Sequence, residues 1–156
     1  MKKIFLSIVA LLTMTACTNN STESATNNKG TDEVAFEVAK NYFFKNDQQI
    51  PASPKITTEE EFNKLFGVAT VMGKDGKPTS IDFTKQFVLA IVLPVTDMAT
   101  EINPVKVEVK SDLLFYTYEV KTGEKQTYSI QPVSIIILDK QYEDNEVKLI
   151  SDESVQ

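Results

Sequence analysis

The chain has 156 residues, enough for one domain, and a formal net charge of −6 from 16 basic and 22 acidic residues. This acidic balance argues against nucleic acid or anionic lipid headgroups as partners, because both bind basic surfaces. The sequence contains no histidine and one cysteine, so Ser-His-Asp and Cys-His catalysis and histidine-based zinc sites are also excluded.

The first 17 residues have the three parts of a secretory signal. Lys2 and Lys3 precede an apolar run over residues 4–12, which is too short to cross a bilayer as a stable helix. The sequence Met14-Thr15-Ala16-Cys17 resembles the bacterial lipobox, in which the cysteine thiol is acylated. We therefore predict a signal peptide over residues 1–16 and membrane attachment through lipidated Cys17. The alternative is an ordinary secretory signal with an incidental cysteine.

Residues 18–30, TNNSTESATNNKG, contain no large apolar side chain and are typical of a flexible tether. A tether over residues 17–30 would span about 20 Å on average. Residues 31–152 are then predicted to form a single domain in the cell envelope. We expect it at the outer membrane, on the periplasmic or surface side.

Two helices are predicted at the start of this domain. The first runs from Thr31 to Asn46, because Val34, Val38 and Tyr42 recur at helical spacing. The second follows the capping box Thr58-x-x-Glu61 and is expected to end at Gly67.

Strands are predicted from Ile81 onward. A continuous apolar run, Phe87 to Leu93, predicts a central strand covered on both faces. Lys121-Thr-Gly-Glu124 predicts a hairpin turn, since glycine permits positive φ. The other expected strands lie at residues 105–109, 113–120, 126–130, 133–138 and 147–149. This order predicts an α+β fold: two N-terminal helices followed by a mostly antiparallel sheet of five or six strands.

The sequence offers little for catalysis, so no enzyme, metal or cofactor is predicted. It has no glycine-rich phosphate loop, no Ser-x-x-Lys in the mature chain and no calcium-loop motif. Pairs of carboxylates suited to glycoside hydrolysis remain an alternative. The candidates are Asp82, Asp97, Glu101 and Glu119.

Two predicted loops are candidates for binding, since binding residues are concentrated on loops of rigid scaffolds. Residues 68–80 contain glycines and two lysines, and residues 94–104 are bounded by prolines. The alternative is that both are solvated connections. The candidate interaction residues are Lys74, Asp75, Lys77, Asp97, Met98 and Ile102, the last two expected to be exposed.

The stretch EEEFNKLF at residues 59–66, followed by IDFTKQFVLA at residues 81–90, resembles the C-terminal domain of PrcB-like lipoproteins. The late proline and apolar strand of that family match residues 132–140, so the resemblance covers residues 56–140. Residues 94–104 stand where the family carries a glycine-rich stretch. These proteins are subunits of surface protease complexes, so the resemblance implies a protein partner.

We therefore predict a lipid-anchored, non-catalytic protein-interaction module of the bacterial envelope that binds or inhibits a partner such as a protease. Two alternatives stay open. One is a small-ligand-binding or passive envelope lipoprotein, with a ligand held between sheet and helices. The other is a hydrolase that uses two facing carboxylates.

Overall fold

A computed structural model describes residues 32–69 and 76–155, with side chains up to residue 151. The predicted signal peptide, Cys17 and the tether lie outside the described residues. The described residues form ten strands, one α-helix and a short 3-10 helix, Lys140–Tyr142. The other elements are β1 (Asp32–Glu33), β2 (Glu37–Val38), β3 (Tyr42–Phe44), β4 (Lys55–Ile56), α1 (Glu59–Leu65), β5 (Phe66–Val68), β6 (Gln86–Val92), β7 (Thr96–Lys110), β8 (Leu113–Ile130), β9 (Val133–Asp139) and β10 (Glu146–Val155).

The strands form three layers. We call β1-β7-β8-β10 the first sheet and β2-β9-β6-β4 the second sheet, while β3 and β5 form a two-stranded ribbon. The pairing of β8 with β10 is parallel and every other pairing is antiparallel. The second sheet is the middle layer, because one of its faces packs on the first sheet and the other on α1 and the ribbon.

The middle layer confirms the prediction of a central strand. Phe87, Leu89 and Ile91 of β6 face the core shared by the two sheets. Val88 and Ala90, which point the opposite way, face the core under α1. A strand buried on both faces needs apolar side chains at successive positions, which explains the unbroken apolar run. The predicted buried strand at residues 133–138 is confirmed as β9 for the same reason.

The second predicted helix is also confirmed, as α1. The Thr58 hydroxyl oxygen accepts a hydrogen bond from the backbone N–H of Glu61 at 3.2 Å, as the capping box requires. Phe62 and Leu65 are buried against the second sheet. Gly67 lies in β5 rather than at the helix end, and the ring of Phe43 lies so close that a methyl group at Gly67 would overlap it.

The prediction of a helix over residues 31–46 is wrong, and with it the two-helix α+β class. The described part of this segment forms β1, β2 and β3, so the fold is mostly β. Val34 and Phe36 reach the core between the sheets, whereas Phe44 reaches the core under α1. Asn41 has a φ of 63°, which a right-handed helix does not allow. β1, β2 and β3 form strands because they pair with β7, β9 and β5, and the periodicity of the sequence does not reveal this pairing.

The hairpin prediction at residues 121–124 is wrong as well. These residues continue β8, and the turn lies at Ser111 and Asp112, with φ values of 53° and 66°. Two successive positive φ values are typical of the turns that join tightly paired strands. The predicted loop at residues 94–104 is also mostly strand, since β7 begins at Thr96.

The last strand differs from the expectation in length and direction. β10 is ten residues long, continues to Val155 instead of ending at residue 149, and runs parallel to β8. Within residues 32–69 and 76–155, no helix has the length and apolar character needed to cross a membrane.

Candidate functional site

The predicted interaction residues do not form one site. Lys74 and Asp75 lie outside the described residues. Lys77 is exposed, and its backbone carbonyl accepts a hydrogen bond from the Asn41 side chain at 2.8 Å. Asp97 lies on β7, where its carboxylate is 2.8 Å from the Nζ atom of Lys125 on β8.

Of the two apolar candidates, only one is accessible. Ile102 is 8% exposed and belongs to the core between the two sheets, so its predicted exposure is wrong. Met98 is half-buried and lies opposite Lys125. The accessible candidates, Asp97 and Met98, therefore lie on paired strand and not in a loop, in the part of the β7–β8 hairpin farthest from its turn.

Pairing in this part of the hairpin, which we call the distal hairpin (residues 96–101 and 121–130), is irregular. Thr96 pairs with Ile130, Met98 with Lys125 and Thr100 with Thr122. Between successive pairs β7 advances by two residues. Over the same steps β8 covers five residues, from Ile130 to Lys125, and then three, from Lys125 to Thr122. The surplus residues of β8 bulge out of the ladder, and bulges of this kind re-aim side chains next to functional sites.

The bulges form one side of a groove of about 340 Å³. Gly123 and Ala99 face each other in its lining, since a methyl group at Gly123 would lie 3.5 Å from the Ala99 carbonyl oxygen. The two smallest side chains of the region therefore leave the groove open. Its lining residues are Ala99, Thr100, Glu101, Lys121, Thr122, Gly123, Gln126, Tyr128 and Ile130.

Two residues make this groove chemically distinct. Tyr128 is 59% exposed, and its hydroxyl group accepts a hydrogen bond of 2.9 Å from the Nε2 atom of Gln126. The Oε1 atom of the same Gln126 is buried and has no hydrogen-bond partner in the described part of the chain. The groove therefore presents an exposed aromatic ring whose hydroxyl is positioned by a partly buried glutamine.

The candidate carboxylates are not assembled around a common cleft. Asp97 pairs with Lys125, Glu119 with Lys121 at 3.2 Å, and Asp82 with Thr84 and Lys85. Hydrogen bonds from the Thr84 hydroxyl and amide lower the pKa of the Asp82 carboxyl below its ordinary value. In the described ranges, no group of acidic or cysteine side chains is placed to hold a metal ion.

The space between α1 and the second sheet is filled by side chains. Phe44, Ile56, Phe62 and Phe66 are all 3% exposed or less and pack on Val88 and its neighbours. The ligand position that the small-molecule alternative predicted, between sheet and helix, is therefore occupied by core. Any ligand site among the described residues has to lie on the surface.

Sequence reasoning did not single out Gly123, Gln126 or Tyr128. Gly123 was interpreted as a turn residue, and the alternation of polar and apolar residues after it is typical of any strand with one wet face. The surplus spacing against β7 that creates the groove exists only once the two strands are paired.

The chain matches no protein-family model, no curated protein and no solved structure. The likeness to PrcB-like lipoproteins therefore stays a prediction from the residues quoted above.

Proposed function

We propose that this protein is a lipid-anchored, non-catalytic interaction module of the bacterial cell envelope, and that its distal hairpin binds a partner protein. The observation that carries the proposal is the groove beside Tyr128. The ring is exposed, yet its hydroxyl is held by Gln126, so little side-chain entropy is lost when a partner packs against it. Tyrosine is enriched in interface hot spots for this combination of apolar area and a polar end.

Site-specific crosslinking in intact cells tests this surface. A photo-reactive amino acid at position 128 is expected to give an adduct of defined mass with the partner, which mass spectrometry then identifies. The matched control is position 105, because Val105 lies on the same hairpin outside the groove and is 55% exposed against 59% for Tyr128. Equal adducts from both positions, or none from either, would contradict the assignment of the groove.

The anchor is tested separately. Cys17→Ala removes the only thiol of the chain, so we expect the protein to leave the membrane fraction and lose its acyl label. An unchanged membrane fraction would exclude Cys17 as the attachment point.

A second candidate function is the binding of a small polar ligand in the same groove, and the polar residues Thr100, Thr122 and Tyr128 in its lining favour it. A ligand hydroxyl or amide would form hydrogen bonds with these side chains, and Gln126 holds the Tyr128 hydroxyl in place. This reading predicts a ligand-dependent rise in the melting temperature that Gln126→Leu abolishes. A partner protein crosslinked from position 128 without any such ligand favours the interaction reading instead.

A further inference from the structure

The edges of the two large sheets are protected unequally. Three of the four edges are formed by β1, β2 and β4, each two residues long and each covering only part of its neighbour; β1 pairs with β7 at Glu108 and Val109. The fourth edge is β10, which has ten residues and no described strand on its outer side. Very short edge strands are a common protection against pairing with other chains, whereas a long open edge is a template for it.

The inner face of β10 opens onto apolar surface. Val147 packs against the core between the two sheets. Leu149 points the same way, opposite the fully buried Tyr116, but is 43% exposed. Beside it lies a groove of about 160 Å³ whose other lining residues include Ile50, Pro51 and Leu93. The core between the sheets is thus incompletely covered along this edge.

The outer face of β10 has a different character. Lys148 forms an ion pair with Glu146, and both are exposed. A strand laid along β10 would therefore meet apolar surface with one set of alternate side chains and, with the other, a solvated face of Glu146, Lys148 and the exposed Ile150. Asp144, two residues before β10, is an exposed carboxylate and favours a cationic residue at that end.

We propose that an extended segment of a partner protein adds to β10 as a fifth strand of the first sheet, with apolar residues at alternate positions and a basic residue at one end. Backbone hydrogen bonds along β10 would hold the segment, and an apolar side chain over Leu149 would select it. The proposal rests on the interaction role given above but uses the edge of β10, which meets the distal hairpin only where Ser154 and Val155 pair with Lys121 and Thr122. A second copy of the chain is the less suitable occupant, because each copy has a net charge of −6.

The probe is an immobilised set of synthetic peptides in which two lysines precede three apolar positions alternating with threonine. Each apolar position is varied among Val, Leu, Ile and Phe. We expect the full chain to bind members of the set and β10 amides to be protected from hydrogen exchange in the complex. Peptides with methylated backbone nitrogens are the control, since they keep the side chains but cannot complete the ladder, and they are expected not to bind.

Two neighbouring residues of β10 provide matched variants. Leu149 and Ile150 are 43% and 45% exposed but lie on opposite faces. Leu149→Thr is expected to weaken the best peptide at least tenfold, and Ile150→Thr less than twofold, while threonine preserves strand propensity in both. Equal effects of the two variants, or no binding by any peptide, would overturn the proposal.

Two further measurements separate the remaining outcomes. A chain that sediments as a dimer in the absence of peptide, and becomes monomeric with Leu149→Thr, would show that a second copy occupies the edge and would overturn the proposal. Tyr128→Ala is expected to leave peptide affinity unchanged. If no partner crosslinks from position 128 while the peptides still bind, the result contradicts only the assignment of the distal hairpin and leaves the β10 proposal standing.

Discussion

The two ends of the β7–β8 hairpin are built from the same pair of strands but are organised differently. In the half next to the turn, which we call the proximal hairpin (residues 102–110 and 113–120), Leu114, Tyr116, Tyr118 and Val120 are buried in strict alternation. In the distal hairpin, no residue of either strand is buried. The difference coincides with packing, because the proximal hairpin faces the second sheet in a shared core.

This contrast shows how burial fixes register. A one-residue slip of β8 in the proximal hairpin would expose its whole row of core side chains. Pairing there is irregular once, at Val105, and this surplus residue lies on β7 and leaves the buried row of β8 in place. The distal hairpin has no such row, and there β8 carries its surplus residues. The core packing that stabilises the hairpin therefore lies in its proximal half, and the candidate binding groove lies in its distal half.

The largest expected effect comes from removing core volume in the proximal hairpin. Leu114 is fully buried, so Leu114→Ala is expected to lower the free energy of unfolding by about 2–5 kcal/mol, measured by urea denaturation. The matched change in the distal hairpin, Tyr128→Ala, should alter it by less than about 0.5 kcal/mol. Similar losses from both variants would contradict the division between the two halves.

The second effect depends on pH and concerns Tyr116, which is fully buried in the same core. Burial raises the pKa of its hydroxyl from 10.0 to about 12. The Ser134 side chain lowers this pKa, but by less than burial raises it. Because the folded-state pKa is raised, the stabilisation is present below pH 10 and is lost as pH rises through the folded-state value. Between pH 10 and pH 12, the free energy of unfolding of the wild type should fall by up to about 2 kcal/mol relative to that of Tyr116→Phe.

Near neutral pH, the same Tyr116→Phe variant should differ from wild type by about 1 kcal/mol or less, because the hydroxyl that is removed has no hydrogen-bond partner among the described residues. Parallel stability curves for the two proteins between pH 9 and 12 would show that Tyr116 is not the titrating group.

A smaller effect compares two glycines. Gly123→Ala in the distal hairpin is expected to stabilise by about 0.5–1 kcal/mol, since a methyl group fits at ordinary contact distance from Ala99 and glycine is unfavourable within strands. Gly67→Ala in β5 is the control and should destabilise, because the methyl group would overlap the Phe43 ring. Thermal melting of both variants checks the signs, and destabilisation by Gly123→Ala would show that the groove depends on a bare backbone.

The parts of the fold that the sequence predicted are those with one physical explanation. Five consecutive buried residues in β6 need cover on both faces, and Thr58 with Glu61 forms a helix start. The segment around Val34 to Phe44 allowed two explanations, since its apolar residues fit helical spacing as well as short strands. The segment forms short strands because their backbones can pair with the edges of β7, β9 and β5.

The errors in the hairpin have an equally local cause. Val105, Val107 and Val109 suggested one strand face by simple alternation, but Val107 is fully buried while Val105 is 55% exposed. The shift in pairing between Pro104 and Lys106 inserts Val105 as an extra residue and reverses the alternation. Proline, which lacks an N–H group, is compatible with such a break. Asp97 and Met98 were predicted as loop residues, but both lie on β7, and neither lines the groove, which begins at Ala99.

The smallest expected effect is that of the ion pair at the end of the distal hairpin. The side chains of Lys125 and Asp97 are 72% and 44% exposed, so solvent and salt screen their attraction. Asp97→Asn is expected to change the free energy of unfolding by less than about 0.5 kcal/mol in urea denaturation, and less again in high salt. If the loss exceeded about 1 kcal/mol, charge pairing would contribute measurably to holding the bulged register. Packing would then not be the sole determinant of register in the hairpin, and the groove would lose its shape as salt increased.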